Sequence, residues 1–217
     1  MRYFIFSSLE DYMKLALSLI TTAVALTFAV GVQAQESQWA VKGGIAAVIP
    51  KSNNGTLVGD TYKLDVGTSV RPSIVLEYFI TPNLSAEVLG AWPFRSDLKL
   101  NGAKAAKVDY LPPTVSLNWH FLPGNTFDPY LGLGLNYTFF YSEKERNNAL
   151  AGAKLDVKNT FGVALHGGVE FNIDKNWFVN ADLRWISIRP KVKLDGGDIG
   201  KAKIDPWVIG LQAGYRF

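Results

Sequence analysis

The chain has 217 residues, 22 Lys and Arg against 19 Asp and Glu, a net charge of +3, 48% hydrophobic residues and no cysteine. So small a positive balance leaves no footprint for nucleic acid, and the lack of cysteine removes disulfide scaffolds, thiol catalysis and cysteine-ligated metals. A mean hydropathy of +0.07 is too low for a bundle of membrane helices.

Only one segment is apolar enough to be a membrane helix: LALSLITTAVALTFAVGVQA, Leu15 to Ala34, preceded by Lys14 and ending Val32, Gln33, Ala34. A basic residue, an apolar run and small residues three and one before a break describe a secretory signal cleaved after Ala34. The domain is then expected over residues 35–217. A retained anchor is disfavoured, since the run barely reaches the ~20 residues needed to span and carries Thr21, Thr22 and Thr27. Met13 offers a second translation start. Residues 1–12, where Glu10 and Asp11 cancel the basic character, would then be an extension.

From Gln38 on, eight segments alternate with the period of a strand. QWAVKGGIAAVI sets Trp39, Val41, Ile45, Ala47 and Ile49 against Lys42. VRPSIVLEYFI sets Val70, Ile74, Leu76, Tyr78 and Ile80 against Arg71, Ser73 and Glu77. LSAEVLGAWPFR sets Leu84, Ala86, Val88, Trp92 and Phe94 against Ser85, Glu87, Leu89 and Arg95. In TVSLNWHF, Val115, Leu117, Trp119 and Phe121 oppose Thr114, Ser116, Asn118 and His120. YLGLGLNYTFFY opposes Leu131, Leu133, Leu135, Tyr137, Phe139 and Tyr141 to Gly132, Gly134, Asn136 and Thr138. TFGVALHGGVEFNI opposes Phe161, Val163, Leu165, Val169, Phe171 and Ile173 to Ala164, His166 and Glu170. WFVNADLRW opposes Trp177, Val179, Ala181, Leu183 and Trp185 to Asn180, Asp182 and Arg184. The last, DPWVIGLQAGYRF, opposes Trp207, Ile209, Leu211, Ala213, Tyr215 and Phe217 to Gly210, Gln212, Gly214 and Arg216.

The connections alternate in length. TPN (Thr81 to Asn83), LPGNTF (Leu122 to Phe127) and DKN (Asp174 to Asn176) are turn-like, while about Lys51 to Val66, Ser96 to Lys107, Ser142 to Lys158 and Arg189 to Lys203 are long and polar. An even strand number with short turns on one side and long loops on the other describes an all-β fold, an eight-stranded antiparallel up-and-down transmembrane β-barrel of the Gram-negative cell outer membrane. Trp39, Trp119, Trp177 and Phe217 are expected at one interface and Trp92, Tyr141, Trp185 and Trp207 at the other. A soluble lipocalin-type barrel has the opposite polarity, with an apolar interior. Here Lys42, Arg71, Glu77, Glu87, Arg95, Glu170, Asp182, Arg184 and Arg216 all share the face away from the apolar one, and with the export signal and the terminal aromatic this favours the membrane barrel.

EVLGAWPF, LPPTVSLNWHF, PYLGLGLNYTFF, NWFVNADLRW and DPWVIGLQAGYRF, in this order, resemble the outer membrane protein W family across nearly all of residues 35–217. The resemblance implies a narrow channel passing small hydrophobic compounds, and in some members a surface receptor role. It implies an inward leucine at the lumen constriction, matched by Leu89, and an aromatic partner on the seventh strand, where this chain has Arg184. It further implies that Tyr215 and Phe217 serve as a signal to the outer-membrane assembly machinery.

No catalytic constellation emerges. His120 and His166 are the only histidines, both inward by phase, and two separated histidines without cysteine make neither a metal site nor an acid-base pair. Membership of a buried polar network is the expectation. No cofactor is expected, and an acyltransferase-like barrel would need a histidine at the outer rim. An eight-stranded interior is just wide enough for side chains to fill, which excludes a wide water-filled pore. Leu89, Ala91, Pro93, Phe140 and Ile186 are inward by phase near the long-loop mouth and are expected, with Arg184, to line the passage of an apolar solute. Proline lacks a ladder donor, and Pro72, Pro93, Pro112 and Pro113 all fall on the long-loop halves of strands two to four. They mark an expected lateral seam, with prolines that merely end strand pairing as the alternative. Lys99, Lys104, Lys107, Lys191, Lys193, Lys201 and Lys203 are expected to face lipopolysaccharide phosphates or simply water. Expected partners are thus outer-membrane lipid and lipopolysaccharide, small hydrophobic solutes and the assembly machinery. The alternative function is a non-conducting barrel acting as receptor, anchor or lipopolysaccharide-contacting structural protein.

Overall fold

The computed structural model describes residues 38–59, 61–145 and 154–217. The expected signal segment, residues 1–34, and part of the third long connection lie outside them. Eight strands form the barrel staves: β1 (Trp39–Ile49), β2 (Ser69–Phe79), β3 (Leu84–Ala91), β4 (Thr114–His120), β5 (Phe127–Glu145), β6 (Thr160–Asn172), β7 (Trp177–Ile186) and β8 (Trp207–Arg216). Each pairs antiparallel with its neighbour in sequence, and β1 pairs with β8, from Ala40–Arg216 to Ile49–Trp207, so the sheet closes with no free edge along that join. The terminal residues complete the join, Trp39 and Phe217 exchanging backbone N–H to carbonyl bonds of 3.3 and 2.9 Å.

Alternation explains the two faces. On β8 the side chains of Trp207, Ile209, Leu211 and Tyr215 are exposed while Val208 and Gln212 are buried, and β4 and β5 repeat the pattern, with Leu133 61% exposed beside a buried Asn136. A continuous exposed belt of Leu, Ile, Val and aromatic residues around an interior of Lys, Glu, Asn and His is the inverse of a soluble barrel. Trp119, Trp177 and Phe217 are exposed at the short-turn end, and Trp92 and Trp207 at the other.

The short turns are built by local capping. In the turn after β6, the Asp174 carboxylate accepts the N–H groups of Trp177 (2.7 Å) and Asn176 (2.8 Å), which hold it below the ordinary aspartate range. Thr81 accepts the Leu84 N–H in the same way at 3.0 Å. The long connections differ from the polar loops expected of them. Short strands run through them, at Thr56–Leu57, Tyr62–Val66, Phe94–Leu100, Ala103–Leu111, Leu155–Val157, Lys191–Leu194 and Gly197–Lys201, and extend the wall past the barrel rim.

The third stave is interrupted. Pairing of β3 with β4 ends at Leu89–Thr114 and resumes beyond it at Phe94–Tyr110, leaving Gly90 to Pro93 opposite Leu111 to Pro113. The one-residue excess inverts the side-chain phase on that side. Phe94, expected outward, is therefore 2% exposed, and Arg95, expected in the lumen, points out with its side chain 52% exposed. We expect a lysine-specific protease added to intact cells to cut within residues 191–203, where Lys191, Lys201 and Lys203 are exposed, and to spare Lys175 in the turn after β6. Cleavage at Lys175 would reverse the orientation.

Candidate functional site

The barrel interior is filled by one connected polar network. Lys42 on β1 is fully buried, and its Nζ lies 2.8 Å from Glu77, 3.0 Å from Glu170 and 3.4 Å from Glu87. Arg184 on β7 bonds Glu87 at 2.6 Å and Ser116 at 3.3 Å and lies 3.8 Å from Asp182. Towards the short-turn end Arg216 pairs with Glu170 and donates to Asn172 at 2.8 Å. Asn118 donates to both Glu77 and Glu87, at 3.1 and 3.2 Å. Tyr130, not singled out by the sequence, fills the centre: its ring lies 5.2 Å from the Lys42 ammonium and its hydroxyl donates to Asn180 at 2.9 Å. Gly168 leaves room for that ring, since a Cβ there would collide with it.

The two histidines take different places in this network. His120 sits between Asp128 (2.9 Å, through Nδ1) and Glu77 (3.2 Å, through Nε2). His166 is buried, and among the described residues neither of its ring nitrogens has a hydrogen-bond partner. His120, Asp128 and Glu170 bring ligand atoms within 4.8 Å of one another. Both nitrogens of His120 are already engaged, however, and Glu170 faces Lys42 and Arg216, whose charges would repel a cation. The cluster is an ion-pair network and fits a metal poorly.

One side-chain layer nearer the long-loop end, the chemistry changes. On β3 the inward series runs Glu87, Leu89, Ala91; on β7 it runs Arg184, Ile186; on β1 it passes from Lys42 to Ala46 and Val48. Successive inward residues on a strand are about 7 Å apart, so on β3 and β7 the inward series turns from charged to apolar within one step. Above this step Ala46, Val48, Phe94, Ile186, Ile188 and Val208 form an apolar cluster. Next to it, inside the wall extensions, is a chamber of about 310 Å³. Leu64, Leu98, Tyr110, Phe140, Val192 and Ile204 are among its walls, and among the described residues no charged side chain lines it. The hydroxyls of Ser96 and Tyr110 engage each other at 3.3 Å, and burial pushes the Tyr110 phenol up to about 12.

The residues expected to line a passage divide between these layers. Phe140 is in the chamber wall. Ile186 and Ala91 belong to or pack on the apolar cluster beside it, and Leu89 is buried one step above Glu87. Arg184 is locked in the charged layer. Pro93, Pro112 and Pro113 lie at the interruption between the third and fourth staves, with Pro93 half-buried. Their neighbours keep its backbone satisfied: the Pro113 carbonyl accepts from Tyr137 N–H (3.2 Å) and the Asn136 amide (3.0 Å), and the Pro112 carbonyl from Thr114 (3.2 Å). Pro72 stands apart, paired with Ile45 within β2, its carbonyl accepting Trp92 N–H at 2.9 Å. Of the seven lysines, Lys99, Lys104 and Lys107 converge on one cleft, while Lys191, Lys193, Lys201 and Lys203 belong to the fourth connection. Sequence reading missed most of the chamber, because its lining comes from segments treated as polar loops. The signal was present in the alternation of Val192, Leu194 and of Ala202, Ile204 among lysines.

Comparison with known proteins bears on this arrangement. A family model described as the OmpW family matches residues 35–217. Outer membrane protein W of Vibrio cholerae is 31% identical over 94% of this chain and 100% of its own. The crystal structure of outer membrane protein OprG from Pseudomonas aeruginosa superposes with a TM-score of 0.75 at 26% identity, covering 86% of this chain and 99% of that one. A more distant relative, the dibenzothiophene metabolism operon protein PahQ of Pseudomonas aeruginosa, is 26% identical over 54% of this chain and 56% of its own length.

The network supplies a direct test of what holds the lumen shut. Lys42→Met leaves three glutamates facing one another without their shared cation, and losing one partner of a buried ion pair costs about 3–5 kcal/mol. We expect the folded barrel to lose that much in urea unfolding from lipid vesicles, and Lys42→Met combined with Glu77→Gln to recover part of it.

Proposed function

Because the chain belongs to the OmpW family, and so is an eight-stranded barrel of the Gram-negative outer membrane, we propose that it carries small hydrophobic molecules inward from the cell surface. The solute enters the apolar chamber, passes Leu89, Ala91, Phe140 and Ile186, and leaves sideways at Pro93, Pro112 and Pro113 into the hydrocarbon of the membrane. The observation that carries this reading is the chamber of about 310 Å³ set directly above a sealed, charged lumen. That volume is within the usual range for small-molecule sites. Straight passage would require an apolar molecule to desolvate Lys42, Glu77, Glu87 and Arg184, a loss of several kcal/mol. Sideways passage meets no charged residue of that lumen network and leads to a stretch where β3 and β4 share no ladder, with the Thr114 hydroxyl and Asn136 amide beside it already bonded. The name of the PahQ relative ties that protein to metabolism of an apolar aromatic compound, which agrees with such cargo. The reading contains no catalytic step and no cofactor. In it Arg184 closes the floor of the passage where the family resemblance implied an aromatic.

The filled lumen also supports a second reading, a barrel that conducts nothing and serves as receptor, anchor or lipopolysaccharide-contacting structural protein. Uptake separates the two. The chain has no cysteine, so Ala91→Cys with Pro112→Cys places a single thiol pair across the interruption. Bridging it with a short bismaleimide should reduce uptake of octane or naphthalene to the level of cells lacking the protein, while the heat-modifiable folded barrel persists. Undiminished uptake in the bridged protein would rule out the lateral route, and no uptake by the unbridged protein would favour the second reading.

Tyr215 and Phe217 are assigned to recognition by the assembly machinery. Both rings are exposed at the short-turn end, and Phe217 joins the barrel closure through its backbone. Deleting Phe217 is expected to lower the yield of folded barrel in cells several-fold, with refolding into detergent less affected. Equal loss in both assays would reduce its role to packing.

A further inference from the structure

We propose that a basic cleft on the outer wall, between β2 and the hairpin Phe94–Leu111, binds a phosphate of the lipid A headgroup in the outer leaflet. It has a volume of about 300 Å³, and among the described residues Arg71, Arg95, Lys99, Lys104 and Lys107 line it with Asp97. Two of the five cations are already matched. Arg95 is held by Asp109 through two bonds of 2.6 and 2.9 Å, and Lys104 lies 2.8 Å from Asp97. Among the described residues Arg71, Lys99 and Lys107 form no ion pair, and the Arg71 Nε is shielded from solvent without a hydrogen-bond partner. A buried guanidinium N–H left unmatched is unfavourable, and a phosphate oxygen is the acceptor that matches guanidinium and ammonium together.

The position of the cleft selects a lipid over a free anion. Arg71 starts on the lumen face of β2, opposite buried Ala46, and lines the cleft where β2 has lost its neighbour, while Val70 and Ile74 on the outer face of β2 and Trp92 on the third stave, 67% exposed, flank outward Arg95. The cations therefore stand beside the upper part of the lipid-facing belt, where the acyl chains of a lipid held by its headgroup would lie on Val70, Ile74 and Trp92. The cleft opens because the ladder is broken there. β2 pairs with β3 only as far as Ser73–Ala91, and contact resumes above through Arg95 N–H to the Ser69 hydroxyl (3.3 Å) and Gly67 N–H to the Asp97 carbonyl (3.0 Å).

This inference rests on the outer-membrane location and deepens the lipopolysaccharide contact, and it stands or falls independently of solute transport. The test uses the full mature barrel refolded in detergent, with native mass spectrometry and titration of bisphosphorylated lipid A, its dephosphorylated form and inorganic phosphate. Arg71→Gln with Lys107→Gln should weaken binding of bisphosphorylated lipid A about tenfold or more, since each charge-assisted contact is worth roughly that factor. Lys191→Gln with Lys193→Gln should leave it unchanged, and Arg71→Lys with native Lys107 should keep most of it. Among the described residues neither Arg71 nor Lys107 bonds another side chain, so the variants should fold, which the heat-modifiable shift on gels verifies. Equal affinity for dephosphorylated lipid A, or an unchanged affinity in the folded double variant, overturns the proposal. Complete displacement of lipid A by millimolar inorganic phosphate would assign the cleft to free anions and also overturn it. Apolar uptake retained by the double variant separates this site from the transport reading.

Discussion

The structure is organised by Lys42, one ammonium buried among three carboxylates. An ion in so dry a place is tolerable only when its charge is neutralised at short range and the remaining lone pairs are bonded. Glu77, Glu87 and Glu170 meet the first condition. Their surplus negative charge is in turn met by Arg184, Arg216 and the donors Ser85, Asn118 and His120. Every stave contributes a member to this network: Lys42 from β1, Glu77 from β2, Glu87 from β3, His120 from β4, Asp128 from β5, Glu170 from β6, Arg184 from β7 and Arg216 from β8. The interior of an eight-stranded barrel holds side chains and little else, so this network is both the core of the protein and its seal.

Much else follows from where the network stops. Arg184 and Glu87 form its last layer, and the next inward residues, Ile186 and Leu89, begin the apolar one. An apolar molecule in the upper layer would have to desolvate these charges to go further along the barrel axis. The wall extensions that enclose the chamber use the same device as the staves. Each carries alternating apolar residues, turned inward above the rim instead of outward below it, because beyond the bilayer the outer face meets water and the inner face is the dry one. Asp205 fastens these extensions together, accepting from Arg189 at 3.0 Å and pairing with Lys51 at 3.4 Å across the first and fourth connections.

The extra residue between Leu89 and Phe94 has two consequences. It leaves β3 and β4 without mutual hydrogen bonds over Gly90 to Pro93, where the prolines on the facing segment have no N–H to offer. It also reverses the faces of the third stave, which sends Phe94 into the apolar cluster beside the chamber and Arg95 to the outer surface. The interruption and the basic cleft are thus neighbours with a common cause, and a lipid headgroup held at Arg71 would sit beside the seam.

The sequence by itself determined the staves, their faces and the alternation of short and long connections, because period-two patterning reports which side of a strand each residue occupies. Lys42, Glu77, Glu87, Glu170 and Arg184 were legible as lumen residues on that ground, and the terminal Tyr215 and Phe217 as lipid-facing. Partnership within the lumen was decided only by tertiary structure. Phase says that a side chain points inward, while the stagger of a closed sheet sets which staves meet at each height, so the convergence of three glutamates on Lys42 and the filling ring of Tyr130 could not be read from strands taken singly. The same holds for Arg95 and Phe94, whose faces were inverted by an irregularity that alternation alone does not register. The chamber was hidden for a different reason. Its lining is drawn from all four long connections, whose lysines and glycines read as loop, and only their assembly into a shared wall brings Leu64, Leu98, Val192 and Ile204 around one apolar space.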